Sequence, residues 1–470
     1  MDDRGIALLG GRHSGSPGDL ALTIGSSMAV DLPLATFDIE ASRAHVDELA
    51  RLGLISAPDG ASLASALDAV DRSLADGTFS WNERDEDIHM NIEAAVSELV
   101  GAELAGQLQA GRSRNEEVVT DERMWLRSAV ARLDDRMLAL QRTLVERAGG
   151  ELDTPLPAHT HTQPAQPVLL AHHLLAYVEM VERDRRRLAD LAARADRCPA
   201  GSGAAAGSGL ALDRDGLAQR LGFGGPTPNS LDAVADRDYA VELVAACAIG
   251  AGHLSRMSAE LVLWSTPYVG FARLPDAFSS GSSMLPNKRN PDAAELVRAR
   301  AARAAGAVTA LLNIVGGLPM AYHRDFQETR APMLESVASL DLSLAVVREL
   351  FAGVTFQRGP MRAAATRGHG LAIGLAERLL AAGVPFRAAH RRVAELVAVA
   401  EERGVDLAEM PRPELCAALP ELCHLPAIVP SLDEALRAAD VMGGTAPGRV
   451  QAAVRAAAAR YGLEPPRSGM

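Results

Sequence analysis

Apolar residues recur through the middle of the chain at helical spacing. Between residues 115 and 149 they alternate in steps of four and three, at Leu126, Val130, Leu133, Met137, Leu140 and Leu144. This heptad spacing is typical of helices that wind around one another. The same analysis predicts four more long helices, over residues 168–194, 229–264, 291–316 and 332–351. For the third of these, Asn290 is the predicted N-cap and Pro291 the first helical residue.

Helices of this length favour an elongated bundle. Shorter helical segments, interrupted by Gly and Pro, flank the bundle on both sides. We therefore predict an all-α chain of three domains: a helical domain over residues 1–108, a long-helix bundle over 109–360 and a small helical domain over 361–470. Because slender, Ala-rich helices rarely bury all of their apolar surface within one chain, the pattern also predicts an oligomer.

Charge and hydropathy limit the classes of partner. The formal charge of −13 argues against a surface that binds nucleic acid or an anionic membrane, since such surfaces are basic. No apolar run approaches the roughly 18 residues that a membrane-spanning helix needs, and the first residues, MDDRGIALLGGRH, lack the form of a signal peptide. The sequence therefore predicts a cytoplasmic protein with a small-molecule partner.

The four cysteines, Cys198, Cys247, Cys416 and Cys423, are too few and too scattered to indicate a disulfide framework. We expect buried, reduced thiols. A metal site at Cys416, Cys423 and His424 is an alternative that the spacing disfavours.

One loop holds the only lysine of the chain. The 47 Lys and Arg residues are 46 arginines and Lys288, which lies in GSSMLPNKRNPD at residues 281–292. A lysine ammonium is a compact charge that can approach a single oxygen, whereas the arginine guanidinium is a wide planar fork. Ser282 near such a charge is typical of a general base with electrostatic support. The alternative is a polar loop that only caps the following helix.

A second candidate segment is HTHTQPAQP at residues 159–167. It places Thr160, His161 and Gln163 between prolines, and His161 is suited to protonating a leaving group near neutral pH. His159 and His161 could instead bind a metal, although the spacing supplies no third ligand.

A third segment, GRSRNE at residues 111–116, opens the heptad helix. Its hydrogen-bond donors favour an anion at the helix N-terminus, and they are Arg112, Ser113, Arg114 and Asn115. The acidic stretch DEDIH at residues 85–89 lies at another helix start, where capping explains it as well as function does.

Taken in order, these segments resemble the fumarase/aspartase superfamily, and most closely its argininosuccinate lyases. The resemblance covers nearly the whole chain and rests on DEDIH, GRSRN, TH with QPAQPV, HHLLAYVEM, NSLDAVADRD, HLSRMSAELVLWS, DAFSSGSSMLPNKRNPD, LPMAYHRDFQE and GGTAPGRV. It implies a homotetramer whose long helices form a 20-helix bundle, with each active site assembled from three subunits. It also implies reversible elimination of fumarate from an N-substituted aspartate, without a metal or an organic cofactor.

The resemblance assigns roles position by position. Ser282 matches the general base, and His161 matches the proposed general acid, helped by Thr160. Lys288 matches a position that binds a substrate carboxylate next to the base. The remaining residues expected at the substrate are Ser27, His89, Arg112, Ser113, Arg114, Asn115, Gln163, Ser283, Asn290, Tyr322, Gln327 and Arg330.

Departures from the usual argininosuccinate lyase pattern fall around the amine half of the substrate. They are Gly25, Gln109, Ala110, Glu116, Glu117, Leu285, Asn287, His323, Arg330 and the stretch LLGGRH. The residues expected to break the C–N bond are spared. Two alternatives therefore stay open: a lyase for a different N-substituted aspartate, and a structural homologue without catalysis.

Overall fold

A computed structural model describes residues 18–464 of the chain. Residues 1–17 and 465–470 lie outside the described part, so the expectations for the stretch MDDRGIALLGGRH, including LLGGRH, are not tested by it. Helices dominate the described residues, and six short strands form three two-stranded antiparallel sheets. The prediction of an all-α fold is confirmed.

The long helices are α7 (Arg114–Gly149), α8 (Leu170–Ala195), α11 (Asp238–Trp264), α12 (Asp292–Gly316) and α13 (Arg330–Gly353). The shorter α-helices are α1 (Asp19–Gly25), α2 (Met28–Asp31), α3 (Ala35–Arg51), α4 (Ala57–Ala75), α5 (Ile88–Val100), α6 (Ala102–Ala105), α9 (Arg214–Arg220), α10 (Ser230–Ala235), α14 (Arg358–Ala364), α15 (Ala372–Ala381), α16 (Phe386–Arg403), α17 (Arg412–Ala418), α18 (Leu432–Ala438) and α19 (Pro447–Arg460). The strands are β1 (Pro155–Thr160), β2 (Gln163–Leu169), β3 (Ala272–Arg273), β4 (Ser280–Gly281), β5 (Arg289–Asn290) and β6 (Thr355–Phe356).

One predicted long helix is interrupted. The chain forms α10, leaves the helix at Asp236 and begins α11 at Asp238. Arg123 pairs with Asp236, and the Arg237 side chain is buried. An apolar pattern does not reveal such a break, because the residues at the break are polar.

The predicted start of α12 was wrong by one residue. The helix begins at Asp292, and Asn290 belongs to β5, where it pairs with Ser280 of β4. Because Asn290 lies in the strand pairing, Pro291 takes the position before the first helical residue.

The chain divides into two compact units. The first contains the described residues up to Asp134 together with Arg185–Ile249 and Ala302–Asp341, and the second contains Asp135–Asp184, Gly250–Ala301 and the described residues from Leu342 onward. Each long helix contributes one part to each unit. The division into three domains stays a prediction.

Each unit has an apolar core of its own. In the first unit, α3 packs against α4, α5 and α9, and part of its core is formed by Ala41, Ala44, Met124, Cys198, Leu217, Ala218, Leu221 and Phe223. In the second unit, α15 packs against α16. Their shared core includes Leu375, Leu379, Val393, Leu396 and Leu407.

The expectation of four reduced thiols was wrong for one pair. Cys416 of α17 and Cys423 form a disulfide, with their Cα atoms 5.1 Å apart. A short 3-10 turn, Pro420–Leu422, reverses the chain between them and brings the two residues within bridging range. The bridge also uses both thiols of the alternative metal site. Cys198 and Cys247 are free and buried, as expected.

One stretch of the described residues, Asp19–Arg51, is long and apolar enough by length and composition to cross a membrane. It departs from the expectation that no apolar run approaches the length of a membrane-spanning helix. It consists of α1, α2, a 3-10 turn and α3, and Ile39, Val46 and Leu49 of α3 are buried in the protein. A single stretch of this kind is weak evidence for a membrane span, because core helices of soluble proteins meet the same criterion.

Candidate active site

His161 lies at the tip of a β-hairpin. β1 pairs with β2, Thr160 lies opposite Gln163, and His161 and Thr162 form the turn. Both turn residues have positive φ, 55° and 60°. A left-handed backbone is strained for a β-branched residue such as Thr162, and two-residue turns of this kind favour Asn and Gly. Strain of this sort clusters at functional sites, and here it holds an exposed histidine at the tip.

The hairpin is anchored at its base and along one side. The Leu169 N–H donates to Thr445 Oγ1 at 2.9 Å. Gly368 has φ 65° and lies against the hairpin, where an added Cβ would be 3.3 Å from Pro164 Cγ. The positive φ favours glycine at this position, and an added Cβ would make a tight contact with Pro164. These contacts fix the strands that carry Thr160 and Gln163.

Ser282 and Lys288 lie in the loop between β4 and β5. Ser282 Oγ accepts hydrogen bonds from the N–H groups of Met284, at 3.2 Å, and Leu285, at 3.0 Å. The Lys288 N–H donates to the Leu285 carbonyl at 3.1 Å. The side chains of Lys288 and Ser283 are exposed. The backbone of the loop thus folds around the Ser282 oxygen.

The base of this loop is fixed by its polar neighbours. Arg289 pairs with Asp276 and donates to the Leu274 carbonyl at 2.7 Å. Asn290 Nδ2 donates to Ser280 Oγ at 3.3 Å across the short sheet. Arg289 therefore ties the loop to the chain before it, and the neighbouring Lys288 projects from the exposed part.

The start of α7 presents a helix N-terminus. Ser113 precedes the helix and its Oγ accepts the Asn115 N–H at 3.3 Å. Arg112 turns inward, with an 8% exposed side chain 3.2 Å from Glu117 and 3.0 Å from Ser42 Oγ. Arg114 is the more exposed of the two arginines. Arg112 therefore positions the segment. The Glu116 and Glu117 N–H groups donate to the Ser113 carbonyl at 3.0 Å and 3.1 Å, so Ser113 satisfies the first turn of the helix with its own oxygens.

Behind this segment lies a buried charge cluster. His89 Nδ1 is 2.9 Å from Asp38 Oδ1, and 4.0 Å from a carboxylate oxygen of Glu117 and of Asp121. Burial alone would lower the pKa of His89, but the negative charge of Asp38 outweighs it and raises that pKa to about 9. His89 is therefore an imidazolium at neutral pH. Only 5% of His89 is exposed, so its side chain is enclosed by these neighbours.

Arg330 lies in a second buried network. Its Nε donates to Glu122 at 2.7 Å, its Nη1 pairs with Asp31, and Ser27 Oγ donates to Asp31. Burial alone would lower the pKa of Arg330, but Glu122 and Asp31 outweigh it and raise that pKa. The network joins the Ser27 side chain to α7 and α13.

The acidic stretch DEDIH connects these two networks. The Ser27 N–H donates to the Glu86 carbonyl at 2.9 Å, and Arg114 Nε lies 3.3 Å from Asp87. Gln327 Nε2 donates to the Ser26 carbonyl at 3.2 Å. An open cavity of about 540 Å³ adjoins this region. It is lined in part by Asp19, Gly25, Ser26, Glu83, Asp85, Glu86 and Arg324.

Within each of the two units, the structure links several of the predicted site residues. In the first unit, Ser27, His89, Arg112, Ser113, Arg114, Asn115, Gln327 and Arg330 are linked through the contacts described above, and Tyr322 stacks near Phe326. In the second unit, Ser282 and Lys288 lie in one loop, while Thr160, His161 and Gln163 lie in the hairpin. No hydrogen bond or ion pair among the described residues joins Ser282 or Lys288 to His161.

Comparison with known proteins decides the family. The lyase family matches residues 19–306, and a domain described as the C-terminal domain of argininosuccinate lyase matches residues 369–440. An argininosuccinate lyase of Hyphomonas neptunium is 43% identical to this chain, covering 96% of the chain and 97% of the relative. The chain belongs to the argininosuccinate lyase family. A relative of the same name from Thiobacillus denitrificans is 42% identical, with the same coverage of both chains.

Solved structures agree with membership of the argininosuccinate lyase family. An EDDS lyase in complex with formate has a TM-score of 0.82 and 27% identity, and the match covers 96% of this chain and 91% of that one. A class II fumarase from Schistosoma mansoni has a TM-score of 0.74 at 17% identity, over 89% and 93% of the two chains, which shows the shared fold alone. The family model and the two relatives confirm the resemblance to the fumarase/aspartase superfamily.

Several acidic residues of this family member are buried, which the sequence pattern did not predict. Glu117, Asp121 and Glu122 lie on α7 with at most 2% of each residue exposed, and Asp31 and Asp38 are almost as deeply buried. Charged residues on a heptad helix are normally read as its solvated face. The available signal was the density of charges in RNEEVVTDER at the start of α7, where few apolar positions remain to form a core.

Replacing Arg330 should destabilise the fold. We expect Arg330→Ala to lower the free energy of unfolding by about 3–5 kcal/mol, because it leaves Asp31 and Glu122 buried without their common cation. Urea unfolding, followed by circular dichroism, measures the loss. The matched control is Arg303→Ala, which removes an exposed ion pair with Glu335 and should cost less than about 1 kcal/mol. Equal losses for the two variants would contradict a structural role for the Arg330 network.

Proposed function

We propose that the chain eliminates fumarate from argininosuccinate, with arginine as the other product. The observation that carries the chemistry is the pair of backbone N–H groups at 3.2 Å and 3.0 Å from Ser282 Oγ. Hydrogen bonds to this oxygen stabilise an alkoxide relative to the hydroxyl, as in an oxyanion hole. They support Ser282 as the general base, and the relatives named argininosuccinate lyase support the substrate.

The reaction begins with loss of a proton from the carbon next to a carboxylate. The product of that step is an aci-carboxylate with two negative charges, so cations and N–H groups must face it as it forms. The exposed Lys288 ammonium supplies a compact charge in the loop that carries Ser282. The side chains of Ser113, Arg114 and Asn115 at the start of α7 are proposed to bind the substrate carboxylates.

The second step breaks the C–N bond. The amine leaves poorly unless a proton reaches its nitrogen, and His161 at the exposed hairpin tip is proposed to deliver it. Thr160 and Gln163, which face each other in the hairpin, are proposed to orient the substrate beside this acid. No step in this scheme calls on a metal or an organic cofactor.

We also propose a homotetramer in which three subunits complete each site. The exposed surface of α12 supports this assembly, because Leu296 is 63% exposed and Leu312 is 55% exposed. Exposed large apolar side chains on long helices are typical of surfaces that pack against another subunit. In such an assembly, different subunits supply different segments to one site. A cytoplasmic location and the three-domain division belong to the same proposal.

A different amine product is the second candidate. His323 departs from the usual family residue, and its Nε2 is buried with no hydrogen-bond partner in the described part of the chain. A buried nitrogen without a partner is costly unless a ligand completes its bonding. The solved EDDS lyase, by its name, acts on EDDS rather than argininosuccinate. The fold therefore accommodates more than one substrate.

Fumarate release, followed by ultraviolet absorbance, tests the proposal. Purified protein is mixed with argininosuccinate and, in parallel, with a panel of other N-substituted aspartates. We expect the highest kcat/KM for argininosuccinate. Turnover of another panel member alone would assign the site to a different amine, and absence of turnover with every substrate would indicate a structural homologue.

Replacing the only lysine by arginine should impair the reaction although the charge is kept. We expect Lys288→Arg to lower kcat/KM by about 10- to 100-fold, because a planar guanidinium does not place its charge on one oxygen as an ammonium does. Steady-state fumarate release measures the change. The neighbouring variant Arg289→Lys is the control. It changes the residue that pairs with Asp276 at the base of the loop. A comparable loss of kcat/KM in Arg289→Lys would show that the loss in Lys288→Arg comes from a change in loop structure.

A further inference from the structure

Asp121 is a fully buried carboxyl group without a partner. Neither of its side-chain oxygens accepts a hydrogen bond within the described part of the chain, and the residue is 0% exposed. Asp38 lies 2.9 Å from His89 Nδ1, whereas Asp121 Oδ2 lies 4.0 Å from the same nitrogen. His89 Nδ1–H therefore donates its hydrogen bond to Asp38 and not to Asp121, since 4.0 Å exceeds hydrogen-bond range. An ionised carboxylate left in this state is strongly disfavoured.

Helix geometry places a second buried carboxyl group next to Asp121. Asp121 follows Glu117 by four residues on α7, so the two carboxyl groups project from one face of the helix. Glu117 pairs with Arg112 Nε at 3.2 Å and with Arg114 Nη1 at 3.1 Å. His89 lies 4.0 Å from both carboxyl groups, but its Nδ1 proton is donated to Asp38. An ionised Asp121 would therefore add a buried negative charge beside Glu117 without a hydrogen-bonded cation of its own.

The cations around Asp121 do not outnumber the other acids. The helix α3 supplies Asp38 and His45, α5 with its N-cap supplies Asp87, His89 and Glu93, and α7 with its preceding turn supplies Arg112, Arg114, Glu116 and Glu117. Burial lowers the pKa of His45 to about 3, so it is neutral. Glu116 accepts the Gly203 N–H at 2.6 Å, and burial raises its pKa to about 7. The other acids, which are Asp38, Asp87, Glu93 and Glu117, face the cations His89, Arg112 and Arg114.

We propose that Asp121 is a neutral carboxylic acid in the native protein, and that its proton keeps Arg112 and Arg114 paired with Glu117, which holds the Ser113–Asn115 segment in place. Burial, together with the nearby Asp38 charge, raises the pKa of Asp121 well above its usual value, in agreement with the geometry. The protonation state stands on the structure alone. The consequence for substrate binding rests on the proposed function.

A divalent cation is the competing occupant. One potential ligand atom from each of Asp38, His89 and Asp121 lies within 4.8 Å of the others. A metal would require His89 to lose its proton and would place two further charges next to the guanidinium groups of Arg112 and Arg114. Repulsion disfavours that arrangement, so the proton is the better occupant.

The variant Asp121→Asn tests the proposal through stability. In the unfolded chain Asp121 ionises at its usual pKa, near 4, while the folded protein keeps the proton. The folded state of the wild type then binds more protons than the unfolded state, and its stability falls as pH rises above that value. Asn lacks this penalty, so the melting temperature of the variant minus that of the wild type should increase between about pH 5 and about pH 8.

Asp38→Asn is the matched control. It replaces the aspartate that accepts the His89 proton, so it should lower the melting temperature over the same pH range. In steady-state assays it should raise KM for argininosuccinate more than it lowers kcat. Asp121→Asn keeps a neutral side chain of the same shape, so it tests the protonation state of this position through stability and spectroscopy.

Infrared difference spectroscopy observes the proton directly. At about pH 8, where exposed carboxyl groups are ionised, the wild type should show a carbonyl stretch of a protonated carboxylic acid that Asp121→Asn lacks. Absence of that band together with a lower melting temperature of Asp121→Asn would overturn the proposal. Stoichiometric divalent metal in the wild type and none in the variant, measured by elemental analysis, would also overturn it. If no substrate is turned over, the proposed function fails, while the spectroscopic and stability results still decide the state of Asp121.

Discussion

Ser282→Ala should lower the rate of fumarate release by about 10²- to 10⁴-fold, the range expected for loss of a general base. The physical reason is that alanine has no oxygen to remove the proton next to the substrate carboxylate. Helix content by circular dichroism and oligomeric state by size-exclusion chromatography should be those of the wild type, because the loop of residues 282–288 is largely exposed.

Alanine also removes the acceptor for the Met284 and Leu285 N–H groups, so chemistry must be separated from loop geometry. Fumarate affinity, measured by calorimetry, makes this separation: turnover should fall far more than affinity. Ser279→Ala is the control in the same segment, since the Ser279 hydroxyl donates to the Pro275 carbonyl and has no proposed chemical role. Full activity of Ser282→Ala would remove the proposed mechanism.

His161→Gln should reduce fumarate release by a similar factor, about 10²- to 10⁴-fold. Glutamine can hydrogen-bond to the substrate but does not protonate the departing amine. The loss should be smallest for substrates whose amine is the best leaving group, because these depend least on an acid. A panel of N-substituted aspartates graded by leaving-group basicity measures this dependence.

His159→Gln is the matched control on the same hairpin. His159 lies on β1 opposite Pro164 and is exposed. Its replacement therefore tests whether a change from histidine to glutamine disturbs the hairpin itself. We expect activity close to that of the wild type. If the loss in His161→Gln is the same for every substrate, His161 orients the substrate or the hairpin instead of supplying the proton.

The long helices were predictable because their cores repeat. The heptad residues of α7 are all buried, from Leu126, Leu133, Leu140 and Leu144 at 0% exposed to Val130 at 7%. A core contact repeated every three or four residues requires apolar residues at that spacing along the sequence. Burial of the resulting apolar face stabilises the helix. The interruption before α11 left no such spacing in the sequence, because it falls at the polar residues Asp236 and Arg237, and Asp236 pairs with the distant Arg123.

The candidate site was predictable only where its residues are unusual in type or in order. Lys288 stood out against 46 arginines, and the motifs around it and around His161 identified the superfamily. The hairpin, with its left-handed turn at His161 and Thr162, was not foreseen. The sequence placed His161 between prolines but did not show that the flanking residues pair as strands.

By itself, then, the sequence determined the all-α class, the long helices, the family and the candidate base and acid. These follow from the spacing of apolar residues and from the order of the motifs, and both can be read directly from the sequence. Tertiary structure alone decided which charges are buried and with what partners. Arg330 pairs with Asp31 across a separation of 299 residues, and His89 pairs with Asp38 across 51. The ionisation of a group such as Asp121 follows from the loss of water and the charges around it, and both are set only when distant segments pack together.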